Sequence, residues 1–226
     1  MCGIVSDNRD PVLLISGAVF AMILGLTGGI ASGKSSVADF FVECGAILVS
    51  ADHLAREAVN PGSPTLTKLV EAFGEDVLTP AGSLNREALA QRVFADPVAR
   101  RRLESITHPA IAHLAECRLA ALKAAPHDLI VYEAPLLFEA GAENRVDLVL
   151  VVLVDPATQM ARLLQRDHLS PEEARQRIAS QWPQADKVQK ADFVIDNSGP
   201  LAQTRAMVDA LYHYLTRTMA PGFSNS

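Results

Sequence analysis

The sequence predicts a three-layer α/β fold, in which helices cover both faces of a parallel β-sheet. Short apolar segments alternate with helical patterns along most of the chain, which is typical of right-handed β-α-β crossovers. The apolar run at 147–154 is continuous, as expected of a strand that is buried on both faces. A glycine-rich turn at 28–35 lies between a predicted strand and a predicted helix. Five such strands are predicted, so we expect a five-stranded parallel sheet.

The first predicted elements surround the glycine-rich turn. Residues 22–26 form a short apolar run that is typical of a buried strand. From Lys34 onward, apolar residues recur at helical spacing, and Gly45 supplies the C-terminal stop of that helix. Residues 46–49 form the second predicted strand, which ends at Asp52.

The rest of the chain is predicted to continue the alternation after a long helical stretch. Helices without a clear buried strand are expected from 56 to 124, with a His108-Pro109 turn among them. The remaining strands are predicted at 129–132, 147–154 and 193–195. One helix follows Pro156, and another begins at Ser170 with the residues of a capping box. A closing helix is predicted over 200–219.

Composition limits the function classes. The 226 residues are 49% hydrophobic and 20% charged, as in an ordinary globular protein. The net charge of -6 argues against a nucleic-acid partner, which needs a broad basic surface. The apolar stretch at 12–26 is too short for a membrane helix. Three cysteines without C-x-x-C spacing indicate a reducing, cytoplasmic compartment, and Cys44 and Cys117 are predicted to be small buried side chains.

The glycine-rich turn matches the phosphate-binding P-loop pattern G-x-x-x-x-G-K-[ST] completely. Its glycines allow backbone N–H groups to turn inward around phosphates, and the helix N-terminus adds partial positive charge. Lys34 can reach the β- and γ-phosphates of ATP, and the Ser35 hydroxyl can ligate Mg²⁺. The predicted nucleotide-binding residues here are Gly28, Gly29, Ile30, Ala31, Ser32, Gly33, Lys34, Ser35 and Ser36.

A small-molecule kinase is the expected activity. The base-reading Asn-Lys-x-Asp motif of GTPases is absent from the sequence. Asp52 follows the second strand, at the sheet edge that should face the bound phosphates. A carboxylate there can accept the proton of an attacking hydroxyl. The alternative for Asp52 is a helix N-cap for the segment that starts near His53.

Several segments, in order along the chain, resemble the dephospho-coenzyme A kinase family. Besides the P-loop they are 51–52, 55–56, 61–62, 84–86, 108–109, 135–139, 165–167 and 191–199. The resemblance spans 22 to about 200. It implies transfer of the ATP γ-phosphate to the ribose 3′-hydroxyl of dephospho-coenzyme A, with ATP and Mg²⁺ as the cofactors.

The resemblance also implies roles for particular residues. Asp52 takes the place of the family's catalytic aspartate, beside Lys34. Many members have a second aspartate where this chain has Ser50, so a metal-supporting role there is in doubt. Arg166 is implied as the catalytic lid arginine, ahead of Arg162, Arg175 and Arg177, and Asn197 as an adenine-site residue. Glu133 is left open between orienting metal-bound water and a solvated strand end.

The predicted organisation is an N-terminal extension at 1–21, expected to lie outside the fold, and a P-loop kinase domain at 22–220. The core of that domain comprises 22–55, 125–161 and 191–220. A helical acceptor-binding insertion is expected at 56–124 and a helical lid at 162–190. We expect a monomer or small homo-oligomer that binds ATP and dephospho-coenzyme A, with neither nucleic-acid nor membrane partners. Another P-loop kinase for a nucleotide or sugar, or a nucleotide-binding regulator without turnover, remains an alternative.

Overall fold

A five-stranded parallel sheet forms the centre of the molecule. The structure is a computed structural model that describes residues 21–218. The strands are β1 (Met22–Gly28), β2 (Ile47–Ser50), β3 (Leu129–Glu133), β4 (Leu148–Leu153) and β5 (Phe193–Asp196). Their order across the sheet is β2-β3-β1-β4-β5, and every pair is parallel. The predicted five-stranded parallel sheet is confirmed.

Helices connect the strands and cover the sheet. Within residues 21–218 they are α1 (Lys34–Glu43), α2 (Ala51–Glu57), α3 (Pro64–Phe73), α4 (Arg86–Ala95), α5 (Pro97–Lys123), α6 (Pro156–Asp167), α7 (Pro171–Ala179), α8 (Gln184–Gln189) and α9 (Leu201–Thr218). Short 3-10 helices lie at Glu75–Val77 and Glu143–Arg145. None of these helices is both long enough and apolar enough to cross a membrane. The capping box predicted at Ser170 is present at the start of α7.

Two hydrophobic clusters, one on each face of the sheet, make up the core. On one face, Ala115 and Leu119 of α5 pack against Ile130 of β3. On the other, Phe41 of α1 and Val208 of α9 pack against the opposite face of the strands. Since helices lie on both faces, the strands read as continuous apolar runs rather than alternating ones.

The strand order sets the position of the functional residues. The central strand β1 lies between β3 and β4, so its carboxyl end opens between the ends of both neighbours. Ser50 at the end of β2 lies in register with Glu133 at the end of β3, and Glu133 in turn lies beside Leu26 of β1. Ligands of open α/β sheets bind at this edge, beyond the carboxyl ends of the strands.

Two local predictions are wrong. His108 and Pro109 do not form a turn, because both lie inside the continuous helix α5. Pro109 cannot donate a backbone hydrogen bond to Ser105, a loss that usually breaks a helix, but the buried face of α5 holds the helix together. Cys117 is exposed on α5, and Cys44 is only half-buried, at the edge of one core cluster.

Candidate active site

The turn between β1 and α1 has a shape that requires glycine at two positions. Gly33 has a φ of 87°, in the left-handed region. A Cβ atom at Gly33 would overlap the side-chain amide nitrogen of Asn197, and one at Gly28 would overlap the carbonyl oxygen of Val152. The turn therefore lies tightly against β4 and the end of β5, with α1 starting at Lys34 immediately after it.

Lys34 is buried within this turn. Its Nζ donates to the carbonyl oxygens of Gly28 and Gly29, at 3.1 and 2.9 Å. Burial lowers the pKa of its ammonium group to about 8, while the nearby charges of Glu133 and Asp52 oppose that shift. The amine is thus held at the base of the turn, where a phosphate bound by the backbone N–H groups would meet it.

Glu133 and Ser50 lie beside the start of α1. The Ser35 hydroxyl donates to Glu133 Oε1 at 3.4 Å, and Ser50 lies beside Glu133 in the register of the sheet. Burial raises the pKa of Glu133, and Asp52 raises it further by charge repulsion, against the attraction of Lys34. Glu133 is therefore a half-buried, hydrogen-bonded carboxylate rather than a freely solvated strand end.

Asp52 lies in the first turn of α2, directly after β2. Helix α2 begins at Ala51, so its N-cap position is Ser50. The alternative that Asp52 is an N-cap is wrong, because Asp52 is the second residue of the helix. Its carboxylate is exposed, and its charge is close enough to favour the protonated form of Lys34.

A cleft of about 380 Å³ opens over the turn; we call it the P-loop cleft. It is lined by Ala31, Gly33, Lys34, Ser35, Ser36, Arg162, Gln165 and Arg166. The side chain of Arg166 is more than half exposed and pairs with Asp167 through an Nε–Oδ1 contact of 2.7 Å. Of the four arginines between 162 and 177, two therefore line this cleft, Arg162 and Arg166.

A second and larger cleft, the wide cleft, lies on the other side of Asp52 and measures about 600 Å³. One wall comes from α2, including Asp52, and a second from α5, including His108 and Pro109. Tyr132 of β3 and the turn after that strand line the cleft, and Gln181 from the segment after α7 also faces it. Both clefts thus open at the carboxyl edge of the sheet, with Asp52 on the border of the wide one.

Asn197 lies beneath the turn and is almost completely buried. Its Nδ2 donates to the carbonyl oxygen of Ser32 at 2.8 Å, and its Oδ1 accepts from the Thr204 hydroxyl at 2.8 Å. Its backbone carbonyl accepts from Arg162 at 2.9 Å. Both ends of the amide already have partners that hold the turn in place, and a role at adenine stays a prediction.

Sequence reasoning missed two glutamines that hold the tip of the turn. Gln159 of α6 donates its Nε2 to the carbonyl oxygen of Ile30 at 2.8 Å. Gln181 accepts from the N–H of the same residue at 2.7 Å. No local pattern marks these glutamines, since their partner lies 129 and 151 positions away in the chain.

Sequence reasoning also missed a buried ion pair close to the wide cleft. Lys187 of α8 is fully buried and pairs with Glu139, with an Nζ–Oε1 distance of 2.7 Å. The same Nζ donates to the carbonyl oxygen of Pro135 at 3.1 Å. A lysine in a short polar helix gives no signal in the sequence that its ammonium group is buried.

The oxygen groups near the turn fit a magnesium ion better than a soft metal. Ser35 and Glu133 supply a hydroxyl and a carboxylate within hydrogen-bond distance of one another. Among residues 21–218, no group of three or more His, Cys, Asp or Glu side chains could hold a metal ion. Mg²⁺ is usually bound by only a few protein ligands, all of them oxygen atoms. Water molecules and substrate phosphates complete its coordination.

Comparison with known proteins agrees with this geometry. A family model described as dephospho-CoA kinase matches residues 22–203. The chain is 55% identical over 190 residues to the dephospho-CoA kinase of Syntrophotalea carbinolica, covering 84% of this chain and 90% of that protein. It is 50% identical over 191 residues to the dephospho-CoA kinase of Geobacter metallireducens, covering 84% of this chain and 95% of that protein.

Solved structures show the same likeness. A dephospho-CoA kinase from Campylobacter jejuni superposes with a TM-score of 0.69 at 29% identity, covering 87% of this chain and 98% of that one. A Thermus thermophilus protein superposes with a TM-score of 0.72 at 33% identity, with the same coverage. The fold, the P-loop and the matches over most of the chain lead to one conclusion: this chain belongs to the dephospho-CoA kinase family.

Proposed function

We propose that this protein transfers the γ-phosphoryl group of ATP to the ribose 3′-hydroxyl of dephospho-CoA, which gives CoA and ADP. The observation that carries the proposal is the position of Asp52. This carboxylate borders the wide cleft, and its charge also acts on Lys34 in the P-loop cleft. Asp52 therefore lies where it could take up the proton of a substrate hydroxyl in the wide cleft, close to a triphosphate bound in the P-loop cleft.

The residues suggest a direct, in-line transfer. Asp52 accepts the proton of the 3′-hydroxyl as that oxygen forms a bond to the γ-phosphorus. The bond between the γ-phosphorus and the β,γ-bridging oxygen breaks, and ADP leaves with the bridging oxygen. Lys34 and the backbone N–H groups of the turn stabilise the negative charge on the phosphate oxygens.

Mg²⁺ belongs to this proposal as the partner of the triphosphate. When bound, the ion would neutralise charge on the β- and γ-phosphates. The Ser35 hydroxyl, which already hydrogen-bonds Glu133, would hold the ion directly. Glu133 would orient a water of the ion with help from Ser50, its neighbour in the sheet. Ser50 would thus take over part of the role of the aspartate that many family members have there.

We assign the acceptor to the wide cleft and the lid to the segment 162–190. The wide cleft has the volume for a nucleotide-sized ligand, and its α5 wall belongs to the predicted insertion at 56–124. Arg166 lies at the C-terminal end of α6, on the border of the P-loop cleft. A movement of α7 and the end of α6 toward the turn would bring the Arg166 guanidinium onto the phosphates.

A coupled assay with ATP and dephospho-CoA tests the proposal. We expect acceptor-dependent ADP release together with formation of CoA, identified by chromatography. A panel of nucleosides and sugars should give far lower kcat/KM values, and Lys34→Met should remove turnover with every acceptor. Faster phosphorylation of a nucleoside or sugar would assign the protein to another kinase activity. Binding of ATP without turnover on any acceptor would favour a regulator.

A further inference from the structure

Gln181 connects the turn between β1 and α1 to the wide cleft. Its Oε1 accepts a hydrogen bond from the N–H of Ile30, at the tip of the turn, with a distance of 2.7 Å. Gln181 also lines the wide cleft, together with Asp52 and His108. One residue of the lid segment therefore contacts the nucleotide-binding turn and faces the space that we assign to the acceptor.

The neighbours of Gln181 hold it in this position. The backbone N–H of Trp182 donates to Glu139 Oε1 at 3.0 Å. Glu139 is fixed by the buried Lys187, and the Trp182 ring stacks on Phe138 at 6.2 Å between centroids. The segment after α7 is thus attached to the turn that follows β3. Because these contacts hold the backbone at Gln181, another group of this segment could not easily replace the hydrogen bond between Gln181 and Ile30.

From these contacts we infer that Gln181 is a positioning residue that couples acceptor binding to the P-loop. An acceptor in the wide cleft restricts Gln181 against the wall of that cleft. Because Gln181 also holds the N–H of Ile30, the acceptor stabilises the turn that receives the triphosphate. Coupling between two binding sites is reciprocal, so ATP must then increase the affinity for the acceptor by the same factor.

The inference rests on the proposed function, and the experiment separates the two. The Kd of a non-hydrolysable ATP analogue is measured by calorimetry with and without saturating dephospho-CoA. In the parental protein we expect dephospho-CoA to tighten analogue binding by about five-fold or more, the lower end of ordinary coupling. In Gln181→Met, which keeps the length of the side chain but has no oxygen acceptor, the ratio should fall below about two-fold.

A matched control and a second measurement complete the design. Gln176→Met changes an exposed glutamine of α7 and should keep the parental coupling. Hydrogen exchange of the Ile30 amide provides a direct measurement in the parental protein, where dephospho-CoA should slow the exchange. This second measurement tests the inference even where Gln181→Met folds poorly.

The outcomes are distinct. Loss of coupling in Gln181→Met, with coupling retained in Gln176→Met, supports the inference. Parental coupling in Gln181→Met overturns it, and so does an Ile30 amide whose exchange is unaffected by dephospho-CoA. Failure of the parental protein to convert dephospho-CoA into CoA would instead overturn the proposed function.

Discussion

Lys34 is a charged group in a position that disfavours its charge. Burial lowers its pKa to about 8 in the nucleotide-free protein, although Glu133 and Asp52 lie nearby. A triphosphate beside Nζ would favour the protonated form and therefore raise that pKa in the complex. Since the two states differ in proton affinity, nucleotide binding must depend on pH.

We expect ATP affinity to fall as the pH rises above about 8. Below that pKa, Lys34 is protonated before and after binding, so affinity is constant. Above it, binding takes up a proton, and Kd should rise by up to about tenfold per pH unit. Calorimetry between about pH 7.5 and 9.5, where the triphosphate is fully ionised, would measure this change.

Lys34→Met is the control for the pH experiment. Its nucleotide affinity should be low and nearly independent of pH in the same range. If the parental protein gave a flat profile while Lys34→Met bound weakly, the ammonium group would be protonated throughout and its pKa would not lie near 8.

Asp52→Asn tests the proposed proton acceptor. Asparagine keeps the size of the side chain and a hydrogen-bonding oxygen, but it cannot take up the proton. Turnover should fall by about 10² or more, in kcat and kcat/KM together, as for a general base. ATP affinity should stay within a few-fold, because the bonds of Lys34 within the turn are unchanged.

Asp39→Asn is a matched control, since Asp39 is an exposed aspartate on α1. It should turn over at the parental rate. A parental rate in Asp52→Asn would contradict the mechanism and leave Asp52 as a favourable acidic residue in the first turn of α2, worth less than about 1 kcal/mol.

At the scale of elements, α6 brings Arg162 and Arg166 to the P-loop cleft. Arg162 is already bound to the carbonyl oxygen of Asn197, whereas the more exposed Arg166 pairs with the half-buried Asp167. The pairing of Arg166 raises the pKa of its guanidinium, so its charge is permanent. Under the proposed lid movement, Arg166 could exchange Asp167 for a phosphate group as its partner.

Arg166→Ala should lower kcat more than it weakens ATP binding. An arginine that reaches the phosphates only after lid closure acts on charge that develops during transfer. Single-turnover kinetics and equilibrium binding would separate the two effects. Arg175→Ala is the control, because Arg175 pairs with Glu172 on the surface of α7. An unchanged kcat in Arg166→Ala would move the role to Arg162, which also lines the cleft.

The joint between α8 and the turn after β3 depends on the ion pair of Lys187 and Glu139. Lys187→Met should lower the free energy of unfolding by about 3 kcal/mol, since it leaves Glu139 charged in a poorly solvated site. Glu139 Oε2 is already buried, with no hydrogen-bond partner within residues 21–218. Urea denaturation of the nucleotide-free protein would measure the loss.

Adding Glu139→Gln to Lys187→Met should recover part of that loss. The amide oxygen of glutamine can still accept from the N–H of Trp182, while the unpaired charge is removed. Lys68→Met, at an exposed position on α3, should change stability by less than about 0.5 kcal/mol. Additive effects in the double variant would mean that the two side chains do not interact energetically.

At the scale of the whole molecule, the parallel sheet gathers residues from distant parts of the chain at one edge. Glycines follow β1, Asp52 follows β2 and Glu133 ends β3. Because β1 is central, its turn reaches both the β3 side and the β4 side of this edge. The fold therefore places the P-loop cleft and the wide cleft side by side at one edge of the sheet.

The parts of this arrangement that the sequence predicts are those with a local signal. The apolar runs predicted all five strands, and the P-loop pattern predicted where α1 begins. Asn197 and Gln181 have no such signal, because their partners in the turn lie 165 and 151 positions away. Pro109 gave a local signal that predicted a turn incorrectly, because its tendency to end a helix is weaker than the packing of the long helix α5.

Trp182 is the single tryptophan of the chain, and it stacks on Phe138 directly beside Gln181. Trp182 is about 40% exposed and lies where the segment after α7 meets the turn that follows β3. A change in that stacking would alter the polarity around this indole, and no other tryptophan would contribute to the fluorescence signal. The protein thus carries a built-in fluorophore, whose emission would report a displacement of Trp182 from Phe138 in real time without any attached label.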